Sequence, residues 1–329
     1  MKKRVALIYG GTGYEHEISV LGRNNFIRKL NAEKYDLLEI FIDKSGAWYL
    51  NAGDESYPTF PVRIYDKSGF LRAGRIIECD VAIPLLHGDG GEDGSIQGTL
   101  KLAGIRCAGE DTATSALLLD KINTKIIASS LGIPSAKFVA LRGIEDVEKA
   151  ENICKSTLDY PMFIKPSCLG SSYGASTVRD SAEFKAAYRA ARELARDVIA
   201  EELIESKREL EVAFLRVGNK RVITPPGEII IDGAYGFNEK YKKGTKTTPR
   251  ACVDDQVMQT ICEYTARLIE GIGVRSISRF DYFLTPSGII LNEINTMPGF
   301  TAASLYTAML DAMGYNFDVL VEALIDGAV

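Results

Sequence analysis

The chain is poor in several features that would place it quickly. Among 329 residues there are one Trp, two His and six Cys. Cys79, Cys107, Cys154, Cys168, Cys252 and Cys262 are scattered without a CxxC pair. That argues against a disulfide framework or a zinc site and for reduced thiols. No run approaches the roughly 18 apolar residues of a membrane span. The apolar stretch after the basic start "MKKRVALIYGG" breaks at a glycine pair, too early for a signal-peptide core. A soluble, cytoplasmic chain is the expectation. Positive charge is not in excess, and the net charge of −5 argues against nucleic acid or an anionic membrane as partner. The Walker A pattern GxxxxGK[ST] is missing, and GxGxxG fails after the first strand, where the third position counted from Gly11 is His16. That excludes a P-loop and disfavours a dinucleotide fold. There is also no internal repeat and no low-complexity tract.

What is there alternates. The buried strand "RVALIYGG" runs into a glycine turn and the helical spacing of "SVLGRNNFIRKL". Then come "YDLLEIFI", a polar excursion through 51–78, the strand "CDVAIPLLHG" and the helix "SIQGTLKLAG". Apolar strands between helices predict a parallel sheet covered on both faces. A second unit opens near "DTATSALLLDKINTK" and runs to the strand "DVIAEELI"; from about 205 the pattern is richer in strands. The expectation is an α/β protein of three units, 1–109, 110–204 and 205–329.

Five segments carry chemistry. "SRFDYFLTPSGIILNEIN" reads as a hairpin whose loop, taken as Pro286–Ser287–Gly288, pairs Asp281 with Glu293 and Arg279 with Asn295. Side chains alternate along strands, so all four share one face, and a one-residue slip would separate them. Two carboxylates and an amide oxygen suit Mg²⁺; a solvated face of cross-strand ion pairs uses the same residues, and spacing leaves both readings open. "FIKPSCLGSSYGAS" ends an apolar strand in Lys165 and enters a Gly/Ser loop able to meet a phosphate, or simply a flexible loop. In "GGTGYEHEIS", Glu15 and Glu17 would repel a pyrophosphate, and a carboxylate there better suits a substrate ammonium; a structural turn is the plainer alternative. "LLHGDGGEDGSIQG" sets His87, Asp89, Glu92 and Asp93 among glycines at a strand's carboxyl end, where open α/β sheets bind ligands. "NEKYKKGTKTTPR" collects cations into a lid over phosphates, an RNA patch or a solvated loop, with RNA disfavoured by the acidic whole.

Taken in order, "GGTGYEHEIS", "LLHGDGGEDGSIQG", "ALLLDKINTK", "FIKPSCLGSSYG", "EELIESKRELEV", "NEKY", "SRFDYF" and "NEINTMPGFTAASLY" resemble the D-alanine–D-alanine ligases of the ATP-grasp superfamily. The resemblance spans about residues 4–325, and eight collinear motifs make it specific. It implies a three-domain ATP-grasp fold holding ATP between the second and third domains. It implies a reaction in which one D-alanine carboxylate attacks the γ-phosphate, and a second amine then displaces phosphate from the acyl phosphate. Matching residue by residue, Asp281, Glu293 and Asn295 correspond to the ligands of two Mg²⁺ ions, with Mn²⁺ a substitute. Arg279 corresponds to the group that stabilises charge on the carboxylate and the tetrahedral oxygen. Lys121 and Lys165 correspond to phosphate lysines, and Glu201, Leu203 and Glu209 to adenine and ribose contacts. Glu15 corresponds to the acid on the first ammonium, with Ser171 and Tyr241 tying the central loop and the lid to it. His87 and Glu92 fall in the substrate-side loop; Lys240, Gly299, Ser304 and Leu305 fall around the second substrate. Relatives are commonly dimers, so a homodimer is expected.

Two details of the resemblance bear on specificity. Tyr241 in "EKY" favours an amine as second nucleophile over a lactate hydroxyl. Leu305 in "SLYT" leaves no polar partner for a serine hydroxyl, which favours D-alanine. Departures stand at Gly13 where serine is usual, at Thr307 where proline is usual, and at Gly236-Phe237, where an acidic-aromatic pair is expected. Cys168-Leu169 sit in the phosphate loop, where members vary. Two alternatives therefore stay open: a D-Ala–D-Ser or other divergent ligase, and a nucleotide-binding module without catalysis.

Overall fold

A computed structural model describes residues 2–53, 55–204, 207–230 and 246–329. The first sheet orders its strands Glu55–Pro58, Trp48–Ala52, Tyr35–Ile42, Lys3–Gly10 and Val81–Pro84. Tyr35–Ile42, Lys3–Gly10 and Val81–Pro84 are parallel, and Lys3–Gly10 is buried from Val5 onward, as a strand covered on both faces must be. The polar excursion departs from expectation. Residues 48–58 extend the sheet with antiparallel strands, and Pro61–Ile64, Lys67–Arg72 and Arg75–Glu78 form a separate antiparallel sheet. Polar, half-exposed strands joined by tight turns carry little apolar signal, so composition alone reads them as loop.

The second sheet is antiparallel in the order Ser176–Val178, Met162–Pro166, Asp197–Glu202, Phe138–Arg142. Helices Val147–Lys155 and Ser181–Leu194 close one face around Phe184, Tyr188 and Ile164. Asp146 and Asp180 start these helices by accepting from Lys149 N and Glu183 N at 2.9 Å each.

The third sheet runs Lys246–Thr248, Gly227–Ile230, Arg208–Val217, Ile277–Thr285, Gly288–Asn295, with Lys220–Ile223 beside Arg208–Val217. Helix Asp255–Ile272 covers one face; helices Leu305–Asp311 and Phe317–Asp326 cover the other. That second core is continuous with the first sheet, since Val5, Leu7 and Val81 share one cluster with Ala213, Tyr306 and Leu320. Helix Lys121–Ser130 and the turn after it also pack on this sheet, through Ala128 and Ile133 and through Leu291 N donating to Pro134 O at 2.8 Å. Among the described residues no helix is long and apolar enough to cross a membrane.

Glu110 is tied to the chain just before strand Ile277–Thr285 of the third sheet. It is 2% exposed and accepts from Arg275 N (2.9 Å) and Ser276 N (2.7 Å). Burial raises its carboxyl from 4.5 to about 7, against the lowering effect of those N–H groups. The folded state thus holds a proton that the unfolded chain has lost across that window. This contribution falls as pH rises through it, by about 1.4 kcal/mol per unit. Denaturant midpoints at about pH 5 and pH 8 are expected to drop less in Glu110→Gln than in the parent. An equal drop in both would remove Glu110 as the cause.

Candidate active site

The hairpin is built differently from the sequence reading, yet it delivers the same face. Thr285 pairs with Gly288, so the turn is the two residues Pro286–Ser287, with Gly288 at φ 124. An irregularity between Asp281 and Tyr282 leaves Asn292 as an extra residue on the opposite strand. The bulge restores the pairing that the shorter turn would have shifted: Asp281 faces Glu293 and Arg279 faces Asn295. The expected loop length is corrected; the expected partners stand.

On that face Arg279 holds Asp281 with a two-bond fork, Nε to Oδ1 and a terminal nitrogen to Oδ2, each 2.7 Å. Asn295 Nδ2 donates to the same Asp281 Oδ2 at 3.1 Å. Glu211 lies opposite Asp281 on the neighbouring strand, with Oε1 3.4 Å from Arg279 Nε. Burial works against the Arg279 charge, but Asp281, Glu211 and Glu293 outweigh it and hold the guanidinium pKa well above its ordinary value. Lys121 Nζ stands 3.5 Å from Glu293 and donates to Leu169 O at 2.7 Å. Three carboxylates therefore meet two cations.

Among the described residues no three His, Cys, Asp or Glu side chains are grouped to hold a metal as they stand, and both Asp281 oxygens are engaged by Arg279. The donor chemistry nonetheless fits a hard divalent cation. Two carboxylates and an amide share one face with a carboxylate in excess, and Mg²⁺ takes the rest of its shell from water and phosphate.

Glu15 closes the opposite wall. Ser171 Oγ donates to Glu15 Oε1 across 156 residues of sequence. Glycines make the approach possible: a Cβ on Gly88 or on Gly170 would come within 2.8 Å of Glu15 Oε2. His87 Nδ1 lies 3.1 Å from Met297 O. Glu92 bridges Gly88 N and Met297 N, both at 3.0 Å. Burial raises the Glu92 carboxyl, with the His87 charge opposing. His87 and Glu92 thus fasten the first-sheet loop to the chain just before Gly299. Glu15, His87, Glu92 and Ser171 line a cavity of about 770 Å³ together with Arg279, Glu293 and Asn295. Gly299, Ser304 and Leu305 close its third side.

The lysines gather between the second and third sheets. Lys165 Nζ is 2.9 Å from Glu201 Oε2, and Lys125 Nζ is 3.1 Å from Glu201 Oε1. Burial would raise the Glu201 pKa, but Lys125 and Lys165 lower it. Leu203 follows the strand bearing Glu201. Glu209 is 3.9 Å from Lys207, whose ammonium lies 3.8 Å over the Phe283 ring. Lys240 and Tyr241, with the departure at Gly236-Phe237, lie outside the described residues.

Two buried residues escaped the sequence reading. Lys125 is one helical turn after Lys121, inside a segment singled out for Lys121 alone; Glu211 alternates with Glu209 on one strand. Spacings of four and two were the available signals. Two departures have local causes. A Cβ at Gly13 would sit 3.3 Å from Asp89 O, and Thr307 Oγ1 donates to Ser304 O at 3.1 Å, tying down the turn where proline is usual. Burial raises the Cys168 thiol, which favours its neutral form.

The family model described as D-ala D-ala ligase N-terminus matches residues 4–110, and that described as D-ala D-ala ligase C-terminus matches 127–326. A D-alanine–D-alanine ligase of a Mycobacterium species (strain KMS) is 36% identical, covering 100% of this chain and 96% of its own. One from Streptococcus agalactiae is 33% identical, covering 98% and 95%. Among solved structures, the VanG D-Ala:D-Ser ligase from Enterococcus faecalis superposes with a TM-score of 0.88 at 34% identity, covering 99% of both chains. The D-alanine-D-alanine ligase from Coxiella burnetii gives 0.86 at 28%, covering 99% and 93%.

Proposed function

The chain belongs to the D-alanine–D-alanine ligase family, ATP-grasp enzymes that join two D-alanines for peptidoglycan precursors, and from that premise we propose how its residues divide the reaction. The observation that carries the reading is the single cavity with Glu15–Ser171 on one wall and Arg279, Glu293 and Asn295 on the other. Glu15 takes the ammonium of the first D-alanine. The carboxylate of that D-alanine then points across the cavity to Arg279, whose fixed cation stabilises negative charge as a carboxylate oxygen attacks the γ-phosphorus, ADP leaves with the P–O electron pair and an acyl phosphate forms. Lys121 and Lys165 hold the phosphates, while Glu201, Leu203 and Glu209 take the adenine and ribose. Lys125 keeps Glu201 ionised when Lys165 turns from it to the nucleotide.

The second D-alanine enters beside Gly299, Ser304 and Leu305, with Lys240 on its carboxylate. Its free amine attacks the acyl phosphate carbon, a C–N bond forms, and inorganic phosphate leaves with the C–O electron pair and takes up the proton the nitrogen loses. Arg279 again faces the developing oxyanion. Tyr241 belongs with Ser171 in closing the lid on Glu15. The family uses ATP and Mg²⁺; Asp281, Glu293 and Asn295 would hold two ions, which supply charge neutralisation at the phosphates. Positioning and fixed charge do most of this work. The division into units 1–109, 110–204 and 205–329, a homodimer and a cytoplasmic location belong to the same reading.

A second reading rests on the likeness to the VanG D-Ala:D-Ser ligase from Enterococcus faecalis. Leu305, buried and apolar at the cavity wall, argues for D-alanine. The deciding experiment measures ADP release with Mg-ATP and D-alanine, then weighs the products formed under competition with D-serine and D-lactate. D-Ala–D-Ala is expected to dominate. A D-Ala–D-Ser product would keep the chemistry and reverse the specificity; no ADP with any acid would overturn the reading.

A further inference from the structure

Tyr14 and Tyr173 have no place in the chemistry above, yet their rings stack at 4.8 Å between centroids and 27° between planes. Tyr14 immediately precedes Glu15 and remains 55% exposed. Tyr173 lies two residues after Ser171, in the loop between Met162–Pro166 and Ser176–Val178. The stack therefore joins the same two loops as the Ser171–Glu15 hydrogen bond. Neither ring lines the large cavity, so the pair is built to hold loops and not to touch what binds inside.

The Ser171 loop needs holding. Ser171 and Ser172 stand at φ 50 and 58, two consecutive left-handed residues that are not glycine. L-residues disfavour that region, so such a conformation persists only where surrounding contacts over-determine it. The turn bonds around these two serines among the described residues are long, Tyr173 N to Gly170 O and Ala175 N to Ser172 O, both 3.2 Å. Glu15 and Tyr14 supply contacts from outside the loop, and an aromatic pair adds attraction beyond its buried area.

We propose that Tyr14 and Tyr173 form an aromatic latch that sets Ser171 against Glu15 and so tunes affinity for the first substrate's ammonium group. Both are positioning residues. The proposal rests on the assignment of Glu15 to that ammonium. If the latch shifts the loop between closed and open populations, its removal weakens first-substrate binding by the lost closed fraction.

The test pairs two readouts on the full chain. Hydrogen exchange of residues 169–175 reports the latch itself; ADP-release kinetics with D-alanine report its use. Tyr14→Ala is expected to speed exchange in that loop about 3- to 10-fold and to raise the KM for the first D-alanine by a similar factor. The kcat and the KM for ATP are expected to stay within about twofold. Tyr14→Phe, which keeps the ring, is expected to restore both readouts, and adding Tyr173→Ala to Tyr14→Ala to change little more. Unchanged loop exchange in Tyr14→Ala overturns the latch. Equal rises in both KM values, or a Tyr14→Phe as impaired as Tyr14→Ala, overturn its role in positioning. Absence of ADP from the parent chain would instead defeat the functional reading, while exchange would still decide whether the stack holds the loop.

Discussion

Asp281→Asn is expected to lower ADP release with D-alanine about 10³-fold while leaving the protein folded. The carboxylate is the centre of the hairpin face: it faces Glu293 in register and carries both bonds of the Arg279 fork. Asparagine keeps its volume and one acceptor oxygen, and Glu211 remains beside the guanidinium. What goes is the negative charge, which a hard divalent cation needs and an amide replaces poorly. Titrating Mg²⁺ in the ADP assay separates the cases. A lost rate that returns partly at high Mg²⁺ identifies a metal ligand; a normal rate at ordinary Mg²⁺ removes Asp281 from the set. A thermal melt close to the parent's shows that the loss is chemical.

Arg279→Met is expected to abolish ADP release and also to destabilise the chain by about 3–5 kcal/mol, because it takes the guanidinium away from two buried carboxylates, Asp281 and Glu211. The Glu211 and Asp281 side chains are 6% and 11% exposed, so water cannot replace the lost partner. Arg279→Lys separates the two effects. A lysine restores charge without the planar fork, so most of the stability is expected back and little of the activity. Denaturant unfolding and ADP release on both variants provide the check. Full activity in Arg279→Lys would mean that the site needs charge there and not two-bond geometry.

The hairpin shows how far periodicity carries. Alternation put Arg279, Asp281, Glu293 and Asn295 on one face, and the structure agrees, although the loop is one residue shorter than its turn residues suggested. The agreement came from a bulge at Asn292 that no local pattern announces. Apolar strands such as Lys3–Gly10 and helices such as Ser95–Leu102 were legible because burial and spacing are written in neighbouring residues. The strands within 51–78 were not, since half-exposed antiparallel pairs owe their form to one another and not to a core. Lys125 was hidden for another reason: a lysine on a helix reads as solvent-facing until its partner, Glu201, is known to come from a different sheet.

By itself the sequence determined which chemical groups exist, their order, and the faces they share within a strand or helix. Those are consequences of periods of two and 3.6 residues, which act over a few positions. The family resemblance implied that Ser171 meets Glu15, but tertiary structure alone decided that Glu92 spans Gly88 and Met297, and that two lysines from separate elements close on Glu201. Such contacts join residues tens to hundreds of positions apart. They form because the apolar faces of sheets and helices must be buried together, and that packing, not any local pattern, brings the polar groups within reach.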